Sequence, residues 1–320
     1  MQLRISTFNV ENLFNRYAFL NEPWENRDYE KFIQAVGVVS LASRAGDLVP
    51  EPITGIQRNN TAQAILDAAP DILAVQEIEN IYTLRNFNQQ YLDDYFDRMI
   101  CIDGNDPRGI DVGILFKKGL KVDLLNIRTH IDDAVKGKTI ERRSFLHSGY
   151  WVTGAIFSRD CLEIDIGFEN KIVTLMINHF KAQDRTKTSV ERRTAQAKRV
   201  AELVKDVADD GKLPIVMGDL NVDPKTDKSL ESLLKHAMLQ DSFKILTPKE
   251  QWTHYYVPEK KTSRLDYILP HKSLTVSHVE INRRGLTTKC KQYTGPRYPT
   301  IGQEHTEASD HCPVTVVVEL

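Results

Sequence analysis

The sequence holds 320 residues, 41% hydrophobic and 27% charged, with 16 Gly and 13 Pro, a composition that fits a folded globule and excludes disorder, collagen and coiled coil. With 42 Lys and Arg against 44 Asp and Glu the net charge is −2, so no global positive field draws the chain to nucleic acid or anionic membrane. No apolar run reaches the length of a membrane span, and MQLRISTFNV reads as an alternating strand and not as a secretory leader, so a cytoplasmic protein is expected.

In chain order, strands are predicted at Leu3 to Phe8, Ile72 to Gln76, Asp111 to Phe116, Lys121 to Ile127, Trp151 to Phe157 and Lys171 to Asn178. Further strands follow at Leu213 to Met217, Asp266 to Leu269, Leu274 to Asn282 and Cys312 to Glu319. Helices are predicted from Thr61 to Ala69, stopped by Pro70, and within Ile81 to Leu92. A third begins at Thr188, where Thr188 and Glu191 make a capping box, shows Ala197, Val200, Ala201, Val204, Val207 and Ala208 at helical spacing, and stops at Gly211. Three segments, Gly37 to Asn60, Arg128 to Gly149 and Gly285 to Ser309, are longer than ordinary loops and are expected to border a functional surface. Composition does not shift along the chain and no repeat is present, so residues 1–320 read as a single domain. Cys101, Cys161, Cys290 and Cys312 fall in no CxxC pair or Cys/His cluster, which signals neither a zinc site nor a disulfide framework.

Polar residues suited to metal and phosphate chemistry sit just beyond apolar strands at four places: Asn9, Glu77, His179, and Asp219 with Asn221. Two more groups, Asp266 and the pair Asp310–His311, sit just before strands. In an antiparallel sheet the end of one strand and the start of its neighbour share a rim, so all six places can converge on one edge of a sandwich. Singly, each has a structural explanation as a turn cap, a surface carboxylate or a satisfied histidine. Together they offer carboxylates, carboxamides and imidazoles without clustered cysteine, a hard-oxygen set suited to Mg²⁺ or Mn²⁺.

The motifs FNVENLF, VQEIEN, NHF, GDLN, RLDYIL and SDHCPV, in that order from Asn9 to His311, resemble those of the endonuclease/exonuclease/phosphatase superfamily, and the flanking segments are similar to its bacterial nuclease-like branch. The resemblance implies an α+β fold like that of deoxyribonuclease I: a four-layered α/β/β/α sandwich of two mainly antiparallel sheets. It also implies that Asn9 and Glu77 serve the metal, with Asp310 a second contributor. By the same carry-over Asp219 aligns or deprotonates the attacking water, Asn221 holds water and phosphate, and Asp266 pairs with His311. His179 stands where deoxyribonuclease I and sphingomyelinases carry histidine and apurinic endonucleases carry tyrosine, which argues against a dedicated abasic-site enzyme.

From Lys181 to Arg199, the positives Lys181, Arg185, Lys187, Arg192, Arg193, Lys198 and Arg199 outnumber Asp184 and Glu191. Together with Arg108, Arg159 and the basic residues Lys136, Lys138, Arg142 and Arg143, they make a nucleic acid, DNA first, the expected substrate, with Arg108, Arg159 and Lys181 its phosphate contacts. The runner-up is a small-molecule or lipid phosphoesterase of sphingomyelinase type, for which Tyr255, Tyr256 and Val257 would be an apolar lip. A third reading is an inactive nucleic-acid-binding scaffold, against which the full motif set argues.

Overall fold

The computed structural model describes residues 2–13, 17–19, 48–50, 54–106, 108–145, 149–184, 186–302 and 305–320. In chain order its strands are β1 (Gln2–Leu13), β2 (Tyr17–Phe19), β3 (Leu48–Pro50), β4 (Ile72–Ile78), β5 (Phe96–Cys101), β6 (Asp111–Lys117), β7 (Asp123–Arg128), β8 (Glu141–Phe145) and β9 (Gly149–Thr153). They continue with β10 (Cys161–Phe168), β11 (Lys171–His179), β12 (Leu213–Asp219), β13 (His254–Tyr256), β14 (Lys261–Ser263), β15 (Asp266–Pro270), β16 (Thr275–Ile281) and β17 (Val314–Glu319). The helices are α1 (Gly55–Ala68), α2 (Ile81–Tyr91), α3 (Lys187–Asp209) and the single turn α4 (Glu231–Leu234).

Most strands join two sheets, one six-stranded in the order β16-β17-β1-β4-β6-β5 and one five-stranded in the order β15-β12-β11-β10-β7. Neighbours are antiparallel except at the two sheet centres, where β1 runs parallel to β4 and β11 parallel to β12. A parallel pair needs a crossover, and α1 and α3 lie in those two crossovers. The central strands are apolar on both faces. Ile72, Ala74, Leu175, Ile177, Ile215 and Met217 meet Leu3, Ile5 and Val316 between the sheets. Leu73 and Val75 turn outward onto Ala62 and Ile65 of α1 and Leu84 and Phe87 of α2. Met176 and Val216 turn outward onto Ala197, Val200 and Val204 of α3. The result is helix, sheet, sheet, helix: the expected α+β sandwich.

Several boundaries differ from the sequence reading, each for a local reason. Helix α1 starts six residues before Thr61 because Thr54 and Gln57 form the capping box. Helix α3 is capped by Thr186, which accepts from Ser189 N, and not by Thr188. The strand expected to run on to Phe157 ends at Thr153, because Gly154 (φ 81°) turns the chain where a Cβ would lie 2.2 Å from the Thr139 carbonyl oxygen. The segment from Arg128 to Gly149 is not all loop, since it contains β8. Part of the Gly37 to Asn60 segment, residues 37–47 and 51–53, lies outside the described residues. All four cysteines are free. No helix among the described residues is long and apolar enough to cross a membrane.

Strand β10 escaped the sequence reading because Glu163 and Asp165 interrupt its apolar residues, yet both are buried. Arg128 donates to Glu163 Oε2 (2.6 Å) and to both Asp165 oxygens (2.8 Å each), while Thr174 Oγ1 (2.7 Å) and Lys212 Nζ (3.2 Å) add donors to Asp165. Burial opposes ionisation of Asp165, but the donors Arg128, Thr174 and Lys212 prevail and hold its carboxyl down at about 2. Against an unfolded value of about 3.9, this stabilises the fold by on the order of 2 kcal/mol. The contribution is complete above the unfolded value and is lost as pH falls from there through the folded one. Thr174→Val is therefore expected to move the acid-unfolding midpoint, followed by circular dichroism, to higher pH; an unmoved midpoint would remove Asp165 from the acid stability.

Candidate active site

The site lies where both sheets end. Register shifts interrupt β1 between Asn9 and Leu13 and β4 between Gln76 and Ile78. Within these bulges Glu11 and Glu77 adopt left-handed backbone, with φ of 47° and 64°. A bulge turns a side chain out of the pleat. Asn9 Nδ2 donates to Glu77 Oε1 at 3.2 Å and to Asp219 Oδ2 at 3.1 Å, while Asn9 Oδ1 accepts from Glu11 N at 3.0 Å.

On the second sheet the parallel register sets His179 directly opposite Asp219, and the antiparallel register sets Asp219 opposite Asp266. Asp219 is a hub. Its Oδ1 accepts from Asn221 N (2.9 Å), and its Oδ2 accepts from Asn9 and from Asn221 Nδ2 (3.0 Å). Asn221 sits in left-handed backbone (φ 52°), and its amide also donates to Phe180 O (3.2 Å), so its donors are spent on holding Asp219 and the loop. The motif glycine Gly218 has φ 130°, and a Cβ there would lie 1.9 Å from the Asn178 carbonyl oxygen. Only glycine lets β12 pass β11 this closely at the step before Asp219.

Asp266 and His311 form the expected pair, with Nδ1 of His311 2.9 Å from Asp266 Oδ2. Thr253 fixes that carboxylate: its hydroxyl donates to Asp266 Oδ2 (2.6 Å) and accepts from Leu265 N and Asp266 N. Burial disfavours a charged His311, but Asp266, Asp219 and Asp310 outweigh it and hold the imidazole well above its ordinary range, as a cation. His179 is the opposite case. Burial, reinforced by Arg159, His311 and Arg108, keeps its ring neutral; its Nε2 lies 3.5 Å from Asp219 Oδ2 and 3.8 Å from Glu77 Oε1. Burial also pushes the Asp219 carboxyl up to about 7.

The structure thus brings together Asn9, Glu77, His179, Asp219, Asn221, Asp266 and His311. Asp310 adjoins them, but its carboxylate oxygens face imidazoles: Oδ2 lies 3.4 Å from His254 Nε2 and Oδ1 3.8 Å from His311 Nε2. Arg108 and Arg159 share one carboxylate. Asp106 accepts from Arg108 Nε and Nη2 (3.1 Å each), and its Oδ2 lies 3.0 Å from Arg159 Nε. Arg159 is buried, whereas the Arg108 side chain is 61% exposed.

The basic track expected after His179 is not built. Lys181 pairs with Asp184, Lys187 with Glu191, and Arg199 with Asp133 and Glu202. Arg193 is buried and donates to Lys181 O, Ala182 O and Asp227, which makes it a brace for the loop beyond β11. Arg192 donates to Ala155 O, and Arg185 lies outside the described residues. Of the expected apolar lip, Tyr255 is buried and packs with Leu286, Cys290 and Cys312, and Val257 packs partly against them, which leaves only Tyr256 exposed.

A sequence profile described as the Endonuclease/Exonuclease/phosphatase family matches residues 7–311. The chain belongs to this family. No curated protein sequence matches it. Among solved structures, truncated Caenorhabditis elegans TDP2 is similar with a TM-score of 0.60 and 14% identity, covering 100% of this chain and 98% of that one. The human Nocturnin catalytic domain with bound sulfate gives 0.60 and 17%, covering 99% and 94%. D. rerio TDP2 complexed with single strand DNA product gives 0.57 and 14%, covering 100% and 99%. At these identities the likeness concerns the fold.

Family enzymes generally use divalent metals, and the residues here fit one. Glu11 Oε2 accepts from Asp310 N (2.9 Å), and its carboxyl is pushed well up, first by burial and then by the charges of Asp310, Glu307 and Glu77. Glu11, Glu77 and Asp310 thus bring carboxylate oxygens together on one rim, the hard-ligand chemistry that a divalent cation takes. Glu11, Thr253, His254 and Asp106 were missed in the sequence because none ends or opens a predicted apolar strand. Glu11 stands inside the quoted FNVENLF motif, and that was the available signal.

Gly218→Ala is expected to cost more than about 2 kcal/mol of unfolding free energy, since both φ and the Asn178 carbonyl forbid a Cβ. Urea denaturation measures it, and a loss within a few tenths would show that β12 can retreat from β11.

Proposed function

We propose that this chain is a divalent-metal-dependent phosphodiesterase, with Mg²⁺ or Mn²⁺ its metal, that cleaves nucleic acid, DNA in the first place. The observation that carries this reading is one buried carboxylate, Asp219, held by Asn9 and Asn221 and flanked by a neutral and a cationic imidazole. That arrangement suits in-line attack of water on a phosphodiester: a base to hold the water, and donors for the charge that develops on phosphate oxygens.

Glu77 would hold the metal, with Asn9 fixing Glu77 Oε1 through its amide and Asp310 adding negative charge to the same rim. When bound, it would neutralise the phosphate anion and polarise it toward attack. Asp219 orients the water and takes its proton. The His311 imidazolium donates from Nε2 to a phosphate oxygen while Asp266 fixes the ring through Nδ1, as Thr253 fixes Asp266. Neutral His179 supplies a further N–H, and Asn221 acts by orienting Asp219. Support for a polynucleotide comes from Arg108, presented to solvent by Asp106 beside buried Arg159, and from the DNA product in the D. rerio structure.

Plasmid DNA, single-stranded DNA, RNA, sphingomyelin and inositol phosphates, assayed in parallel with Mg²⁺, Mn²⁺ or EDTA, test the reading. Cleavage of lipid or inositol phosphate alone would overturn it. EDTA and Glu77→Ala should each abolish hydrolysis, with high Mn²⁺ restoring part of the Glu77→Ala loss. Asp219→Asn and His311→Ala should each lower kcat at least about 100-fold in folded protein. Near-normal turnover in either variant removes that residue from the mechanism.

Because Arg193 and Arg199 of the helix are committed to Asp227 and Asp133, and Lys181 to Asp184, few phosphates are engaged. The logarithmic salt slope of DNA binding should lie between about −0.7 and −1.8, the range for one or two phosphates. Arg108→Ala should raise KM for DNA and flatten that slope, leaving hydrolysis of a small aryl phosphodiester nearly unaltered. A steeper slope that Arg108→Ala leaves untouched would place the polyanion contacts elsewhere.

A further inference from the structure

The same rim carries a second convergence, which joins His254, a residue the hydrolytic reading does not use, to Asp310 and His311. The β13–β14 hairpin sets His254 opposite His311 as bridge partners, with ring centroids 4.6 Å apart. Each ring has its Nδ1 engaged. His254 Nδ1 lies 3.0 Å from Ser263 Oγ, and His311 Nδ1 lies 2.9 Å from Asp266 Oδ2. His254 Nε2 lies 3.4 Å from Asp310 Oδ2, and His311 Nε2 lies 3.8 Å from Asp310 Oδ1 and equally far from Asp219 Oδ2. Those separations are long for hydrogen bonds. They are close to the spacing of neighbouring ligands on a tetrahedral ion, about 3.3 Å for metal–ligand bonds near 2.0 Å. One ligand atom from each of the three residues lies within 4.8 Å of the others.

We propose that His254, Asp310 and His311 form a binding site for a transition-metal dication such as Zn²⁺, distinct from the oxygen site at Glu77. Two imidazoles and a carboxylate suit Zn²⁺ far better than Mg²⁺, which demands oxygen ligands and sheds its water reluctantly. Ser263 and Asp266 play the part that outer partners play for metal-binding histidines: they occupy Nδ1, fix the tautomer and aim Nε2. The Asp310 side chain is 35% exposed, so an ion can enter from solvent and keep a water as a further ligand. A zinc ion there displaces the Nε2 proton of the His311 imidazolium to solvent and occupies the nitrogen that would otherwise donate to phosphate. Zn²⁺ is then an inhibitor of Mg²⁺-supported hydrolysis; this consequence, unlike the site, rests on the proposed function.

Zinc binding read without substrate is the test. Protein in saturating Mg²⁺ is titrated with ZnCl₂ in a calorimeter, and the complex is examined by zinc X-ray absorption. One Zn²⁺ per chain with two imidazole ligands is expected, and His254→Ala should weaken binding at least about 10-fold. Circular dichroism establishes that the variant is folded. Should it not fold, Ser263→Ala, which leaves all three ligands in place but frees the His254 ring, should still weaken binding several-fold. Absence of zinc binding, a spectrum without imidazole, or unchanged affinity in a folded variant overturns the site. In a DNA-cleavage assay, His254→Ala should raise the Zn²⁺ concentration for half-inhibition by the same factor. A chain that binds zinc through His254 but cleaves no phosphodiester keeps the zinc site and loses only the hydrolytic reading.

Discussion

One hydrogen bond between the two sheets organises this rim: Asn9 at the end of β1 donates to Asp219 at the end of β12 across 3.1 Å. It is buried and charge-assisted, a class that contributes about 1.5–3 kcal/mol when kept and costs more when one partner is left alone. Around it, each sheet has a parallel pair at its centre. Two parallel neighbours finish at the same edge, so Asn9 stands beside Glu77 and His179 beside Asp219. The antiparallel outer neighbours then begin where those strands end, and bring in Asp266 and His311. The apolar packing between the sheets, from Leu3 to Val318, holds these two sets of strand ends at hydrogen-bonding distance.

Much of this was legible in the sequence because it follows from strand ends. An apolar run followed by a polar residue marks a rim, which points to Asn9, Glu77, His179 and Asp219, and a polar residue just before an apolar run marks the same rim at Asp266 and His311. The parallel pairing was not legible, because a strand buried on both faces carries no alternation that reports its direction. Strand β10 hid for a different reason: Glu163 and Asp165 look like solvent-facing residues until Arg128 and Lys212 are placed over them. The basic stretch after His179 misled in the opposite sense. Its surplus of positive charge was real, but the partners that neutralise it, Asp133 and Asp227, lie far away in sequence.

The electrostatics of the rim are divided. On one side Glu11, Glu77 and Asp310 gather negative charge, which raises the Glu11 carboxyl and invites a cation. On the other, Arg108 and Arg159 gather around Asp106 and keep His179 neutral. Between them two imidazoles a few ångströms from the same carboxylate carry opposite charge states. His311 is surrounded by Asp266, Asp219 and Asp310, whereas His179 faces the arginines. Burial alone would neutralise both rings, so the difference is set by neighbours.

The pairing of β1 with β17 brings Gln2 against Glu319, at opposite ends of the sequence. Contacts of such long range are slow to find, because closing a loop of nearly the whole chain yields nothing until the partner strand arrives. As the chain emerges from the ribosome, β1 can dock with β4 early, but its other edge stays open until β17 is made. Asp310 and His311 enter on that strand's leading segment. The site is therefore complete only once that segment is made, and a chain stopped before it would present unpaired β1 backbone with neither the Asp266–His311 pair nor the Asp310 carboxylate in place.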